Sequence, residues 1–269
     1  PGVHVNDTIF DEYYYLWFNE LHPPLDDPRV RRAIAMGVDR DYIVRTVMHD
    51  HVTKAQTDQP PFSWAADPDV HEPDFDPAGA RRLLESLGWH PGADGMLAKN
   101  GQTLSLTLVT DNAWDNALRF APVFQAEMAK IGIAITIKLY PTSVLESAAG
   151  AGGILNNGKY DIAFDGWVAG IDPDDSTLVE CDQAPPVGWN RAHACDPRID
   201  AQERIALTSY DQPTRRAAYW KIQQYLAQDL PTLILFYSKR NDAVRDQLAD
   251  FRPAQAVTEF WNTWQWDMQ

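Results

Sequence analysis

Three alternating apolar segments with helical stretches between them constrain this chain more than any other feature. Leu104, Leu106 and Leu108 alternate with Ser105 and Thr107. Ile133, Ile135, Ile137 and Leu139 alternate with Ala134, Thr136 and Lys138. A period of two marks strands with one face in a core. Ala117–Lys130 between them reads as a helix, and a shorter helix near 142–149 precedes a glycine-rich break, GAGGILNNG, and a third strand over Tyr160–Trp167. Strand–helix–strand–helix–strand order predicts an α/β fold built on an open sheet with crossover connections.

The flanking segments extend this plan. Glu12–Asn19 (EYYYLWFN) is aromatic-rich and reads as a strand, as does Pro231–Tyr237. Asp27-Pro28 and Asp76-Pro77 each place a capping carboxylate before a proline suited to the first helical position. Val30, Ala33 and Ile34 then repeat at helical spacing; Asp39 starts a second short helix after Gly37. Ala80, Leu83, Leu84 and Leu87 form another helical stripe, stopped by Gly88. Helices are also expected near 197–208 and 212–228, the second started by Asp211 and Pro213. Residues 52–75 are a long proline-rich loop, a kind that is functional or wraps another element. Residues 90–101 read as a hairpin excursion. From Ser238 onward the pattern changes: Asp242–Val244 and Glu259–Trp266 read as short strands outside the sheet, and Trp261, Trp264 and Trp266 need a surface to cover them.

Composition narrows the function. With 269 residues, 45% hydrophobic, the chain can bury a substantial core. A net charge of −15 with no Lys/Arg cluster opposes binding to nucleic acid or to anionic lipid. No apolar run approaches the roughly 18 residues needed to span a bilayer. The chain opens on Pro1 with no signal sequence, so export has to be argued from something other than a leader. Cys181 and Cys195 are open to two readings, a disulfide or two free thiols; with His193 alone nearby they are too few for zinc.

Several constellations could carry chemistry. Asp172-Pro173-Asp174-Asp175 could supply paired carboxylates for hydrolysis or oxygen ligands for a hard cation, against the plainer reading of a turn that caps a helix. His49-Asp50-His51 could hold a transition metal but sits at an expected helix end. Ser143, Ser147 and Ser176 lack a nucleophile-elbow setting, and the glycines at 150–153 lead into no Lys-Ser/Thr helix start. Nothing here makes a catalytic set, and no cofactor or metal is expected. Gly166-Trp167-Val168-Ala169-Gly170 is the more promising segment. Glycines flanking a Trp at the carboxyl end of a parallel strand would leave backbone groups approachable, where open α/β sheets bind ligands.

Leu25-Asp26-Asp27-Pro28-Arg29-Val30-Arg31-Arg32-Ala33-Ile34 with Val38-Asp39-Arg40 resembles the signature of family five extracellular solute-binding proteins, the peptide-, nickel- and oligosaccharide-type receptors of ABC importers. Pro60-Pro61 with Trp64, Asp76-Pro77 through Gly88-Trp89, Tyr160-Asp161 with Gly166-Trp167 and Asp172-Pro173 continue the resemblance. Pro185-Pro186 with Gly188 and Asn190, Asp196-Pro197 with Asp200, Arg215–Tyr219 and Asp229-Leu230-Pro231 complete it in order along nearly the whole chain.

The resemblance implies a periplasmic-binding-protein-like (type II) lobe, an open mixed sheet flanked by helices. All the matched signatures belong to the second half of such receptors. Residues 1–237 are thus expected to form one ligand-binding lobe, with strands at its start and at Pro231–Tyr237 crossing a hinge. Residues 238–269 would return to a first lobe outside this chain. It further implies export, to the periplasm or as a lipoprotein on the outer face of the inner membrane, which favours the Cys181–Cys195 disulfide, and partnership with the membrane subunits of an importer. The expected ligand contacts are Trp167, Val168, Ala169, Gly170, Asp172, Asn190 and Trp64, with the Pro60–Trp64 loop at the border. Peptide receptors of the family commonly carry an Asp after the Gly-Trp-x-Ala unit to pair with the ligand's α-amine. Gly170 stands there instead, which opens the range to oligosaccharides, modified peptides and other small solutes. A secreted hydrolase using Asp172 with Asp174 or Asp175, or a chaperone-like peptide module, are the alternatives.

Overall fold

The computed structural model describes residues 2–93 and 95–269. In chain order its main elements are β1 (Val3–Phe18), α1 (Pro28–Met36), β2 (Val52–Lys54), α2 (Pro77–Ser86), β3 (Ser105–Asp111), α3 (Asp115–Ile131) and β4 (Ala134–Tyr140). There follow β5 (Ile162–Val168), α4 (Pro197–Thr208), α5 (Gln212–Asp229) and β6 (Thr232–Arg245). These strands form one sheet in the order β2-β6-β1-β5-β3-β4. β3 runs parallel to β4 and β5, while β1 is antiparallel to both β5 and β6. This is the open mixed sheet that the alternating segments predict.

Aspartates set where the helices begin. Asp27, Asp76, Asp196 and Asp211 each accept a backbone N–H from the first turn of α1, α2, α4 and α5, at 2.8 to 3.0 Å. A proline occupies the first or second helical position each time. Helix α3 ends at Gly132, whose φ of +92° suits glycine, and the Gly132 carbonyl accepts Leu97 N–H at 2.7 Å. That bond ties down the expected excursion, a three-stranded piece at His90–Pro91, Leu97–Lys99 and Gln102–Thr103.

The sheet buries both faces. Leu16, Phe18, Leu108, Ile162, Phe164 and Leu235 face the layer of α1, α2 and α3. Tyr13, Tyr15, Trp17, Val109, Ala163 and Ile234 face the other way, toward the 142–160 and 176–195 segments. A smaller cluster of Ile199, Ala206, Ala218, Tyr219 and Ile222 joins α4 to α5 and takes in Ala65 from the long loop. Phe236 sits on the same face as Leu235 because the register with β1 shifts there: Tyr14 opposes Phe236 and Tyr15 opposes Ile234.

Four readings need correction. β1 begins at Val3, not near Glu12, and Asp242–Val244 belongs to β6 as a direct continuation of the sheet. Residues 3–9 pair with 239–245 as a two-stranded ribbon beyond the reach of β5 and β2. The tail covers only one face of this ribbon, burying Val244 while Val3, Val5 and Ala243 stay exposed, so the apolar pattern fades while the backbone pairing continues. The chosen boundary at 237/238 therefore falls inside one strand. Glu259–Trp266 is not a strand: it carries a 3₁₀ turn at Thr263–Gln265, and the tail pairs only through Leu248–Ala249 with Asp267–Met268. The helix expected over 142–149 stops at Leu145, because Asn156 Nδ2 draws the Ser147 carbonyl outward at 2.8 Å.

Burial pushes the carboxyls of Glu72, Glu127 and Glu203 up to about 7. In the unfolded chain these groups ionise near 4.5, so between that pH and 7 the folded state holds protons that the unfolded state has lost. Stability from this source is fully present below about pH 4.5 and is lost as pH rises to 7. The net charge of −15 acts in the same direction. Thermal unfolding should give a higher Tm at pH 5.5 than at pH 8, and Glu127→Gln should narrow that difference; an equal or higher Tm at pH 8 would contradict this assignment.

Candidate ligand-binding site

Strand β5 delivers Trp167 and Val168 to its carboxyl end. Val168 still pairs with Glu12 of β1, and Ala169 N–H donates to the Asp11 carbonyl at 2.9 Å. The chain then leaves the sheet through Gly170 and Ile171, and Ile171 is 71% exposed. Val168 and Val187 are exposed nearby. At Gly166 an added Cβ would come within 3.1 Å of the Tyr14 ring, so that glycine makes room for a core side chain and does not open backbone to a ligand. Gly170 differs: an added Cβ would meet only the Asp172 backbone, at 3.4 Å or more, so packing does not demand glycine there.

Beneath this edge lies a buried ion network. Asp165, on β5, accepts from Arg191 at 2.5 Å and from Trp17 Nε1 at 3.2 Å. Arg191 also pairs with Glu146. Burial, then the charge of Asp165, pushes the Glu146 carboxyl up, and the arginine opposes that. The guanidinium lies 4.6 Å from the Trp189 ring, and Trp189 lies 5.8 Å from Trp167. Two carboxylates thus fix an arginine, which fixes an indole that remains 44% exposed.

A second cluster borders the first. Asp172 pairs with Arg215 at 2.6 Å, and the Arg215 guanidinium lies 5.2 Å from the Trp64 ring. Trp64 packs edge-on against Tyr219, and its carbonyl accepts from Arg216 at 2.9 Å. The Pro60–Trp64 loop is thereby fastened to α5, and Gln59 donates to the Pro173 carbonyl at 3.3 Å.

The structure thus gathers Trp167, Val168, Ala169, Gly170 and Asp172 at one end of the sheet, with Trp64 joined to Asp172 through Arg215. Asn190 is otherwise engaged. It is buried, its Nδ2 donates to the Glu180 and Ala194 carbonyls, and its Oδ1 accepts Ala194 N–H. It holds the loop that presents Trp189. That loop is closed by the Cys181–Cys195 disulfide, with 4.4 Å between the Cα atoms.

The carboxylates of 172–175 do not form a hydrolytic pair. Asp172 is neutralised by Arg215, Asp174 accepts Ser176 N–H and Oγ–H, and Asp175 is buried with its pKa pushed up by burial and by Glu203. His49 and His51 are exposed in a turn, and among the described residues no group of His, Cys, Asp and Glu is arranged to hold a metal.

Sequence reasoning missed four residues. Trp189 was hidden beside Asn190. Arg191 and Arg215 carried a signal, as cations placed beside indoles in a strongly acidic chain. Asp11 was unreadable: it is 2% exposed, Oδ1 has no hydrogen-bond partner, and its backbone touches Ala169. Burial pushes its pKa up.

A mixed sheet with helices on both faces and an aromatic-rimmed edge at the carboxyl end of a parallel strand defines the lobe of a solute-binding protein. Residues 1–186 match the bacterial extracellular solute-binding proteins, family 5 Middle, and the chain belongs to that family. The ABC transporter periplasmic-binding protein SapA of Escherichia coli is 32% identical over 236 residues, covering 86% of this chain and 40% of that protein. The oligopeptide-binding protein AppA of Bacillus subtilis, solved with a nonapeptide, superposes with a TM-score of 0.83 at 23% identity, over 100% of this chain and 53% of its own. NikA of Brucella suis, solved with Fe(III)-EDTA, gives 0.84 at 24% identity, over 100% and 53%. The chain therefore spans about half or less of the relatives it matches.

Closing the loop of sequence separation 14 stabilises by about 3 kcal/mol in the chain-entropy model. The Cys181→Ser/Cys195→Ser variant should lose roughly 5–10 °C in Tm. Hydrogen exchange should rise first across residues 182–194; a rise confined elsewhere would count against the loop's role in placing Trp189.

Proposed function

We propose that this chain is the second lobe of a two-lobed receptor that captures a peptide or peptide-like solute and delivers it to an ABC importer from the periplasm. The observation that carries this reading is the carboxyl end of β5, where Trp167, Trp189, Val168 and Ile171 surround a chain leaving the sheet. An extended solute could pair with that backbone while the indoles cover its side chains. Among the described residues, no helix is long and apolar enough to cross a membrane. Relatives named for periplasmic and peptide transport support the location and the cargo class.

The ribbon of residues 3–9 with 239–245 then acts as the pair of hinge crossings, and the register shift between Ile9 and Tyr13 is where it bends. The tail beyond it, with Phe260, Trp261, Trp264 and Met268 exposed, packs on the first lobe.

Gly170 leaves no acidic side chain for a ligand ammonium, and Asp172 is held by Arg215. In this reading Asp11 supplies that counter-charge, from the strand beside Ala169. Its nearest guanidinium, on Arg240, pairs with Glu259 at 3.4 Å. Calorimetry on the two-lobed protein should show binding of short peptides with free amino termini, weakened by about tenfold or more for N-acetylated forms. Asp11→Asn should remove that discrimination. Tight binding of oligosaccharides with none of peptides would move the cargo assignment elsewhere in the family, and binding by this chain alone at submillimolar Kd would contradict a two-lobed site.

A further inference from the structure

A second cavity lies apart from the β5 edge. It has a volume of about 190 Å³ and lies between the second face of the sheet and helices α4 and α5. Tyr13, Tyr15 and Trp17 line it from β1, and Ile199 and Leu226 face them from the helices. The lining continues past Trp17 to Glu20 and the exposed Asp26. Phe18 pairs with Ile162 at the start of β5, so this opening is at the end of the sheet opposite Val168.

The charges in it are one-sided. Asp58 and Asp175 line the inner end, both buried, and Asp175 Oδ1 has no hydrogen-bond partner. Glu203 stands against Asp175 with both carboxyl oxygens buried, and the two acids share a hydrogen bond. Among the described residues, no lysine or arginine forms an ion pair with any of these three; Asp58 accepts from Gln59 Nε2 at 3.1 Å and meets Asp175 through a side-chain hydrogen bond. Arg31 borders the cavity but pairs with Glu20 at 3.1 Å and donates to the Leu25, Asp229 and Leu230 carbonyls. Buried carboxylates without a cation are costly unless protonated or met by a guest.

We propose that this cavity is a binding site for a small organic ammonium ion, seated with its charge at Asp58 and Asp175 and its carbon skeleton against Tyr13, Tyr15 and Trp17. Aromatic faces with carboxylates behind them suit a desolvated ammonium. Since a cavity of about 150 Å³ holds benzene, the guest has roughly eight non-hydrogen atoms. Without it, Asp175 and Glu203 keep protons that burial and mutual repulsion hold in place. Binding then releases protons and tightens as pH rises.

Calorimetry on this chain with choline, 1,4-diaminobutane and the uncharged isostere 3,3-dimethylbutan-1-ol tests the site. At least one ammonium probe should saturate at or below about 10 mM, more tightly at pH 8 than at pH 6, and the alcohol should not. Asp175→Asn, of the same shape without the charge, should weaken binding about tenfold or more, while Trp189→Ala at the β5 edge leaves it unchanged. Should Asp175→Asn fail to fold, Asp58→Asn carries the same expectation. No saturable ammonium binding, equal binding of the alcohol, or loss through Trp189→Ala in place of the aspartates would overturn the assignment.

Discussion

The backbone pairing of β1 on both its edges is the constraint on which the rest of the structure depends. Twelve to eighteen along the chain, β1 bonds to β5; over most of its length it also bonds to β6. Those two neighbours come from residues about 150 and 220 positions later, so the first strand closes the sheet around the α/β unit built by β3, α3, β4 and β5. Its side chains define the two layers. Leu16 and Phe18 enter the helix-covered core, while Tyr13, Tyr15 and Trp17 form the floor of the other face. The ligand edge, the ribbon and the second cavity all take their positions from this one strand.

Charge is handled differently in the two halves of that second face. Near the β5 edge, Arg191 neutralises Asp165 and Glu146 together and is itself stacked on Trp189. Removing such an arginine would strand the buried Asp165 carboxylate beside a half-buried Glu146, a loss of about 3–5 kcal/mol. Toward α4, Asp58, Asp175 and Glu203 have no such partner. The contrast separates an edge whose buried charges are paired from a region whose carboxylates have no cation beside them.

Much of the fold was legible. The period-two runs at 104–108 and 133–139 became β3 and β4, and the Asp-Pro pairs at 27–28 and 76–77 marked two helix starts because cap and proline act locally. The ribbon was not legible, since a strand pair covered on one face only, and by the tail, leaves little apolar periodicity. Of the expected contacts, Trp167–Gly170 and Asp172 reached one edge. Asn190 turned inward because a short disulfide-closed loop must satisfy its own carbonyls. Trp189 meets Trp167, Arg191 meets Asp165 and Asp11 meets Ala169 across 22 to 158 residues, which no local pattern reveals.

The central claim is that β1 and β6 leave this lobe as a hinge to a first lobe that closes over the β5 edge. Small-angle X-ray scattering of the two-lobed protein, with and without a saturating peptide, tests it most directly. The account predicts a smaller radius of gyration with ligand for the two-lobed protein and no change for the 269-residue chain alone. Saturable binding with an unchanged radius in the two-lobed protein would contradict it.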